Sequence, residues 1–445
     1  MTLLTPDVIR TLQRKLYRKA KQEPAFRFYV LYDKVYRADI LSHAYALVRA
    51  NKGAPGVDGV SFEAIEAGEG KEVFLARLQE ELKSKTYRAD AVRRVWIPKA
   101  DGSRRGLGIP TIRDRVAQMA VKLVMEPIFE ADFCEHSYGF RPDRSVHDAV
   151  DAVADALLKG HTQVIDADLS KYFDTIPHAK LMAVVAERLA DGALLHLIKQ
   201  WLKAPVVEED EDGTRHHRGG GKGNRQGTPQ GGVISPLLAN LYLHLLDRIW
   251  VRHKLEKRLQ ARVVRYADDL VVLCAKEVGR PMEVLEEVLK VMDLQLNETK
   301  THVVDGWKAS FDFLGFSIRM RRSRRSGRCY PHVEPSKRSI RRIQERATHL
   351  TQRRLTLVPL PELMDQLNRS LRGWSGYFHY RNSSSGINRV KWHVEERLRT
   401  HLRKRHKVKS RASGYLRFPS RQLYAHYGLY KLPTTAGWTK AHALR

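Results

Sequence analysis

The apolar pattern is sharpest around residue 266, where Val263-Val264-Arg265 leads into Tyr266-Ala267-Asp268-Asp269 and then Leu270-Val271-Val272-Leu273. Two β-branched runs joined by a short turn predict a β-hairpin. Upstream, Gln163-Val164-Ile165-Asp166-Ala167-Asp168 alternates as a half-buried strand and passes into a turn or helix over Leu169–Asp174, which puts Asp166 and Asp168 on one face. Arg94–Pro98 and Arg104–Ile109, either side of Asp101-Gly102, predict another hairpin. Residues 8–50 read as helices with basic spots at Arg14-Lys15 and Arg18-Lys19. Ile340–Leu350, Leu360–Arg381 and Ile387–Arg405 predict three further helices. Between 206 and 226, Glu208-Glu209-Asp210-Glu211-Asp212-Gly213 and Gly219-Gly220-Gly221-Lys222-Gly223 cannot build a core and predict an exposed hairpin or mobile loop. The fold class is α+β, ending in a helical segment.

Adjacent carboxylates at a hairpin turn put hard oxygen donors where strand ends meet. Such a set suits Mg²⁺, which takes one or two protein carboxylates and completes its shell with water and phosphate. If the strand ending at Asp168 lies beside the hairpin carrying Asp268, the pair can hold two ions roughly 3.5–4 Å apart, the arrangement that activates a hydroxyl and stabilises a leaving pyrophosphate. A single Asp here is more simply a turn residue; three of them with these flanks favour metal chemistry.

The 445 residues exceed what one core usually serves, so two or three domains are expected. Three dispersed cysteines argue against a disulfide framework and a zinc finger. The start lacks the pattern of a signal peptide and no long apolar run offers a membrane span, so the expectation is a cytoplasmic protein without a membrane partner. The net charge of +29 is concentrated: residues 319–445 hold 31 Lys/Arg against 6 Asp/Glu. A polyanion bound mainly by the C-terminal third accounts for this most economically.

Several motifs occur in an order that resembles one family. They are Gly56-Val57-Asp58-Gly59-Val60, Ile97-Pro98-Lys99 leading to Leu107-Gly108-Ile109-Pro110, Tyr138-Gly139-Phe140-Arg141-Pro142, the run Gly227-Thr228-Pro229-Gln230-Gly231-Gly232-Val233-Ile234-Ser235-Pro236, Leu296-Asn297-Glu298-Thr299-Lys300-Thr301 and Phe313-Leu314-Gly315-Phe316. With Tyr266-Ala267-Asp268-Asp269, this set is similar to that of group II intron reverse transcriptases, the intron-encoded maturases, of the bacterial type without an endonuclease domain. The resemblance implies a right-hand polymerase: an extension over 1–50, fingers with part of the palm over 51–160, palm over 161–325 and a basic helical thumb or maturase domain over 326–445.

It also implies RNA-directed DNA synthesis with two Mg²⁺ ions, Mn²⁺ being an alternative. Asp168, Asp268 and Asp269 are the catalytic candidates, and Asp168, Leu169, Asp268 and Asp269 the metal-binding ones. Lys99 and Arg105 resemble the basic pair on the triphosphate, Phe173 the ring against the sugar C2′, Gln230 the glutamine beside the incoming nucleotide and Lys300 the lysine near the pyrophosphate. Plainer readings stand beside these: a core ring for Phe173, a Gly-rich helix entry around Gln230, surface charge for Lys99 and Arg105 with Arg104 as a substitute in register, and a helix start for Lys300. Tyr266 would flank the primer end. Phe313 to Phe316 resembles a primer grip, with core packing as its rival. Trp374, Tyr377 and Phe378 share a helical face suited to packing or to base stacking. The implied partners are an RNA template, expected to be group II intron RNA, a DNA or RNA primer, and dNTPs, together with help in splicing. Two alternatives share these residues: a domesticated reverse transcriptase in defence or repair, and an RNA-binding splicing factor without polymerase activity.

Overall fold

The computed structural model describes residues 3–98, 102, 104–210, 212 and 214–437. Its strands, in chain order, are β1 (Val92–Pro98), β2 (Arg104–Ile109), β3 (Gln163–Ala167), β4 (Val206–Glu209), β5 (Arg215–Gly219), β6 (Ala261–Tyr266), β7 (Asp269–Cys274), β8 (His302–Asp305), β9 (Phe311–Phe313), β10 (Phe316–Arg322) and β11 (Cys329–Pro335). They form sheets ordered β2-β1-β4-β5, β6-β7-β3-β8 and β11-β10-β9.

The middle sheet is antiparallel throughout and is covered on both faces. On one side Ile165, Ala167, Leu270 and Val272 join the main core, which also takes in the helices Ile112–Glu130 and Ser235–Arg252. On the other, Val164, Val264, Val271 and Leu273 pack with Phe311, Phe316 and the helix Val146–Leu158. Double coverage explains why Leu270–Leu273 is continuously apolar instead of alternating.

The sequence places β1 and β2 in a hairpin, and they pair antiparallel with Trp96 opposite Gly106. The polar insertion also forms a hairpin, β4–β5, but it is not free-standing. β4 adds to β1 in parallel, Val92 opposite Val206, so the insertion widens the first sheet to four strands. The N-terminal helix Asp7–Gln22 packs against Ile112–Glu130, where Gln13 donates to the Leu123 carbonyl at 3.0 Å.

The helices Lys337–Leu350, Leu360–Phe378 and Ser384–Arg405 enclose a separate core built from Ile340, Ile343, Leu363, Leu367, Leu371, Val390, Val394 and Leu398. Spacings of three and four put these residues on the inward stripes and leave most of the arginines outside, Arg399 being buried with its Nε donating to the Phe418 carbonyl. The aromatic face of Leu360–Phe378 is used for packing. Phe378 lies 5.2 Å from the Phe316 ring and 5.1 Å from Trp374, and Tyr377 stacks on Phe316 and donates to the Leu314 carbonyl at 3.0 Å. These rings fasten the helical segment to the sheets. Among the described residues, no helix is long and apolar enough to cross a membrane.

Candidate active site

The β6–β7 hairpin closes with Tyr266 opposite Asp269, leaving Ala267 and Asp268 as its two-residue turn. Such turns require a positive φ, and Ala267 supplies it at 56°. Neighbours hold this strained residue from two sides. Gly139 lies so close that a Cβ there would collide with the Ala267 nitrogen, and Arg265 Nη1 donates to the Ala267 carbonyl at 3.0 Å.

β3 lies beside β7 with Ala167 opposite Leu270, so Asp168 leaves its strand next to Asp269. The Leu296–Thr301 segment fixes it there. Asn297 N donates to the Asp168 carbonyl at 2.7 Å, Leu169 bridges Leu296, and Lys300 Nζ lies 3.9 Å from Asp168 Oδ2. Leu169 is buried in the main core. Its side chain has no donor atom, so only its carbonyl oxygen is available to a metal.

The carboxylates lie in one another's field. Burial raises the Asp268 pKa and Asp168 adds to the rise, while Arg105 and Arg265 oppose it. Burial together with Asp268, Asp168 and Asp166 pushes Asp269 up to about 7. Burial, then Asp312 and Asp168, push Asp166 up to about 6. Crowded, half-desolvated carboxylates of this kind favour a divalent cation. Among the described residues, no three His, Cys, Asp or Glu side chains form a ready-made cage for an ion. The donor set therefore fits a metal that also draws on phosphate and water, which is the habit of Mg²⁺.

On the side facing the first sheet, the loop Gly227–Gly232 is threaded between β2 and the segment after Asp168. Thr228 N donates to the Phe173 carbonyl at 2.7 Å and Gly108 N to the Gln230 carbonyl at 2.6 Å. Gly231 has φ 114°, and a Cβ there would collide with the Gly108 oxygen. Gln230 Oε1 accepts from Arg105 Nε at 2.7 Å, and its Nε2 lies 3.4 Å from Asp174. Arg105, which makes this contact and lowers the Asp268 pKa, thus faces the carboxylates. Lys99 lies outside the described residues. Phe173 is largely buried, edge-on to Tyr172 at 5.6 Å, with 9% of its surface exposed. Phe313 and Phe316 are core residues, whereas Tyr266 is half-buried beside the turn.

Arg265 is a residue of consequence that the sequence pattern did not single out. It is fully buried, and its guanidinium meets Asp247 with Nε at 3.1 Å and Nη2 at 2.5 Å. It also donates to Asn240, Ser137 and the Ala267 carbonyl. Burial opposes ionisation of Asp247, but the Arg265 guanidinium, with His136 Nε2 3.3 Å and His244 Nδ1 3.9 Å from the carboxylate, holds its carboxyl well below the usual range. The signal was an arginine set between the apolar pair Val263-Val264 and the turn. Arg141 is likewise buried, paired with Glu130 at 2.6 Å, and braces the loop beside the turn through the Cys134 and Ser137 carbonyls.

An antiparallel palm sheet presenting acids at its strand ends, a hairpin sheet facing them and a helical segment beyond define a right-hand nucleic-acid polymerase. The family model "Reverse transcriptase (RNA-dependent DNA polymerase)" matches residues 97–318, and "Group II intron, maturase-specific domain" matches 340–418. Protein YkfC of Escherichia coli (strain K12) is 36% identical over 357 residues, covering 71% of this chain and 90% of that protein. Group II intron-encoded protein LtrA of Lactococcus lactis subsp. cremoris is 30% identical over 371 residues, covering 67% of this chain; the match spans 58% of LtrA. Among solved structures, telomerase from Candida albicans aligns with a TM-score of 0.44 and 12% identity over 80% of this chain and 69% of that one, too remote for residue correspondence. The chain belongs to the group II intron reverse transcriptase and maturase family. It is an RNA-directed DNA polymerase joined to a maturase domain.

Proposed function

We propose that the polymerase reaction runs at Asp168 and Asp268, with Asp269 beside them, on a primer paired to RNA, and that the natural template is the RNA of a group II intron. The observation that carries this reading is the placement of Asp168 and Asp268 at neighbouring strand ends with mutually repelling carboxylates. These carboxylates, with the Leu169 carbonyl, would hold two Mg²⁺ ions. When bound, such ions supply charge for the attacking 3′-oxygen and the departing pyrophosphate. Asp269 adds negative charge that strengthens cation binding. Arg105 steadies the triphosphate from the facing sheet while orienting Gln230 toward the incoming nucleotide, a forked donor suiting phosphate. Lys300, beside Asp168, offers a positive charge to the pyrophosphate. Phe173 closes the space at the sugar C2′, which favours deoxyribose. Lys99 belongs to the same reading as a second triphosphate contact.

The C-terminal helices carry most of the excess positive charge and match the maturase model. This supports binding of intron RNA and assistance to its splicing by the same surface. Primer extension on an RNA template tests the proposal: dNTPs are incorporated with Mg²⁺, rNTPs are not, and EDTA stops synthesis. Incorporation that persists without divalent metal contradicts it.

A further inference from the structure

Phe140 is a large apolar side chain that the fold turns away from its cores. It is 51% exposed and belongs to none of the apolar clusters among the described residues. Its φ is 53°, a left-handed conformation that bulky residues avoid. The loop around it is nevertheless firmly held. Arg141, next in sequence, is tied to Glu130 and two backbone carbonyls. Gly139, just before it, is pressed onto the Tyr266-Ala267 backbone, and its carbonyl accepts from Asn240 Nδ2. Strain of this kind persists only where the surroundings over-determine it, and it collects at functional sites.

The position of the ring follows from the pairing. Ser137 bridges Arg265 and Tyr138 N donates to the Arg265 carbonyl at 2.8 Å, so this segment lines the free edge of β6. Across the strand ends the order is therefore Phe140, the Ala267-Asp268 turn, then Asp168 on the far side of β7. Phe140 follows the residue in contact with that turn by one Cα step of about 3.8 Å. The exposed ring is therefore mounted one residue from the contact with the turn that carries Asp268.

We propose that Phe140 is a stacking platform for a nucleotide of the primer–template, within three positions of the reacting end. This rests on the assignment of Asp168 and Asp268 as the polymerase site. The ring offers a flat apolar face to any base, and rigid mounting spares the entropy of ordering it on binding. It acts as a positioning residue and takes no part in bond making.

Phe140→Gly separates this role from a structural one, because glycine accepts the positive φ while removing the ring. A fluorescent RNA-template, DNA-primer duplex is titrated in Ca²⁺ without dNTPs and followed by anisotropy. The expected result is a thermal midpoint equal to or above wild type, with Kd weakened by about 5- to 150-fold and restored by Phe140→Tyr. A Kd within twofold of wild type overturns the proposal. A second titration moves one abasic site through the last three nucleotides of each strand. At one position wild type and Phe140→Gly should bind alike; the absence of any such position also overturns it. Neither titration requires synthesis. Failure of wild type to extend primers would therefore strike at the polymerase site, while an unchanged Kd would strike only at the platform.

Discussion

The buried pair of Arg265 and Asp247 makes a prediction in which stability and activity part company. Both side chains are fully buried, so removing either leaves an uncompensated charge in the core, a loss of about 3–5 kcal/mol in comparable cases. Asp247→Asn and Arg265→Met should each lower the stability of the palm by that amount, read from urea unfolding. The double variant should recover about 1–3 kcal/mol of the summed loss, because the partners act on each other directly. Activity should not follow stability. Asp247→Asn leaves the guanidinium able to donate to the Ala267 carbonyl, whereas Arg265→Met removes the donor that braces the turn. A displacement of the Asp268 carboxylate by about 1 Å is enough to cost about 100-fold in rate. Measured at low temperature and corrected for folded fraction, single-nucleotide addition should fall far more for Arg265→Met than for Asp247→Asn. Equal loss of rate in the two variants would mean that Arg265 does not brace the turn, and destabilisation below about 1 kcal/mol in either would mean that the pair does not hold the palm together.

The other expectations concern sugar choice, pH and salt. Phe173→Ala should admit rNTPs, measured as the ratio of dNTP to rNTP incorporation; an unchanged ratio would leave Phe173 as a core ring alone. Without metal, the folded chain keeps protons on Asp269 up to about 7 and on Asp166 up to about 6, whereas the ordinary value is 3.8. The folded state thus binds more protons over that interval, so stability must fall as pH rises through it. Mg²⁺ should restore stability at pH 8 and do little at pH 5, and urea midpoints that ignore both pH and metal would contradict this. Replacing Arg338, Arg341 and Arg342 by Gln should reduce the salt slope of RNA binding by about 0.7–0.9 for each phosphate no longer neutralised. An unaltered slope would move the RNA elsewhere on the protein.

Local pattern made the hairpin at Ala267-Asp268, the strand before Asp168, the β1–β2 hairpin and the three C-terminal helices legible, because each is set by side-chain periodicity within a short window. The pairing of β4 with β1 was not legible. It joins residues more than a hundred positions apart, and a four-residue strand with two valines and two glutamates carries no mark of its partner. The insertion does form a hairpin, one of its two expected forms, and that hairpin is also part of a sheet. Trp374, Tyr377 and Phe378 had two readings of equal pattern, and only the position of Phe316 and Leu314 opposite them shows that they pack. Phe173 and Gln230 could be located by motif, but the depth of the ring and the Arg105 contact to the amide depend on a loop that β2 holds in place. Arg265 was not singled out, because what it braces is defined by Asp247 on the helix Ser235–Arg252 and by a carbonyl two residues on.

The central claim is that Asp168 and Asp268 share the metal ions of one polymerase site. Single-turnover dNTP addition to an RNA-templated primer tests it most directly, comparing wild type with Asp168→Asn, Asp268→Asn and the double variant at equal folded fraction. Groups that act as one unit give strongly non-additive losses. Each single substitution should abolish addition, with the double variant no worse than either. Near-wild-type addition by Asp268→Asn would contradict it.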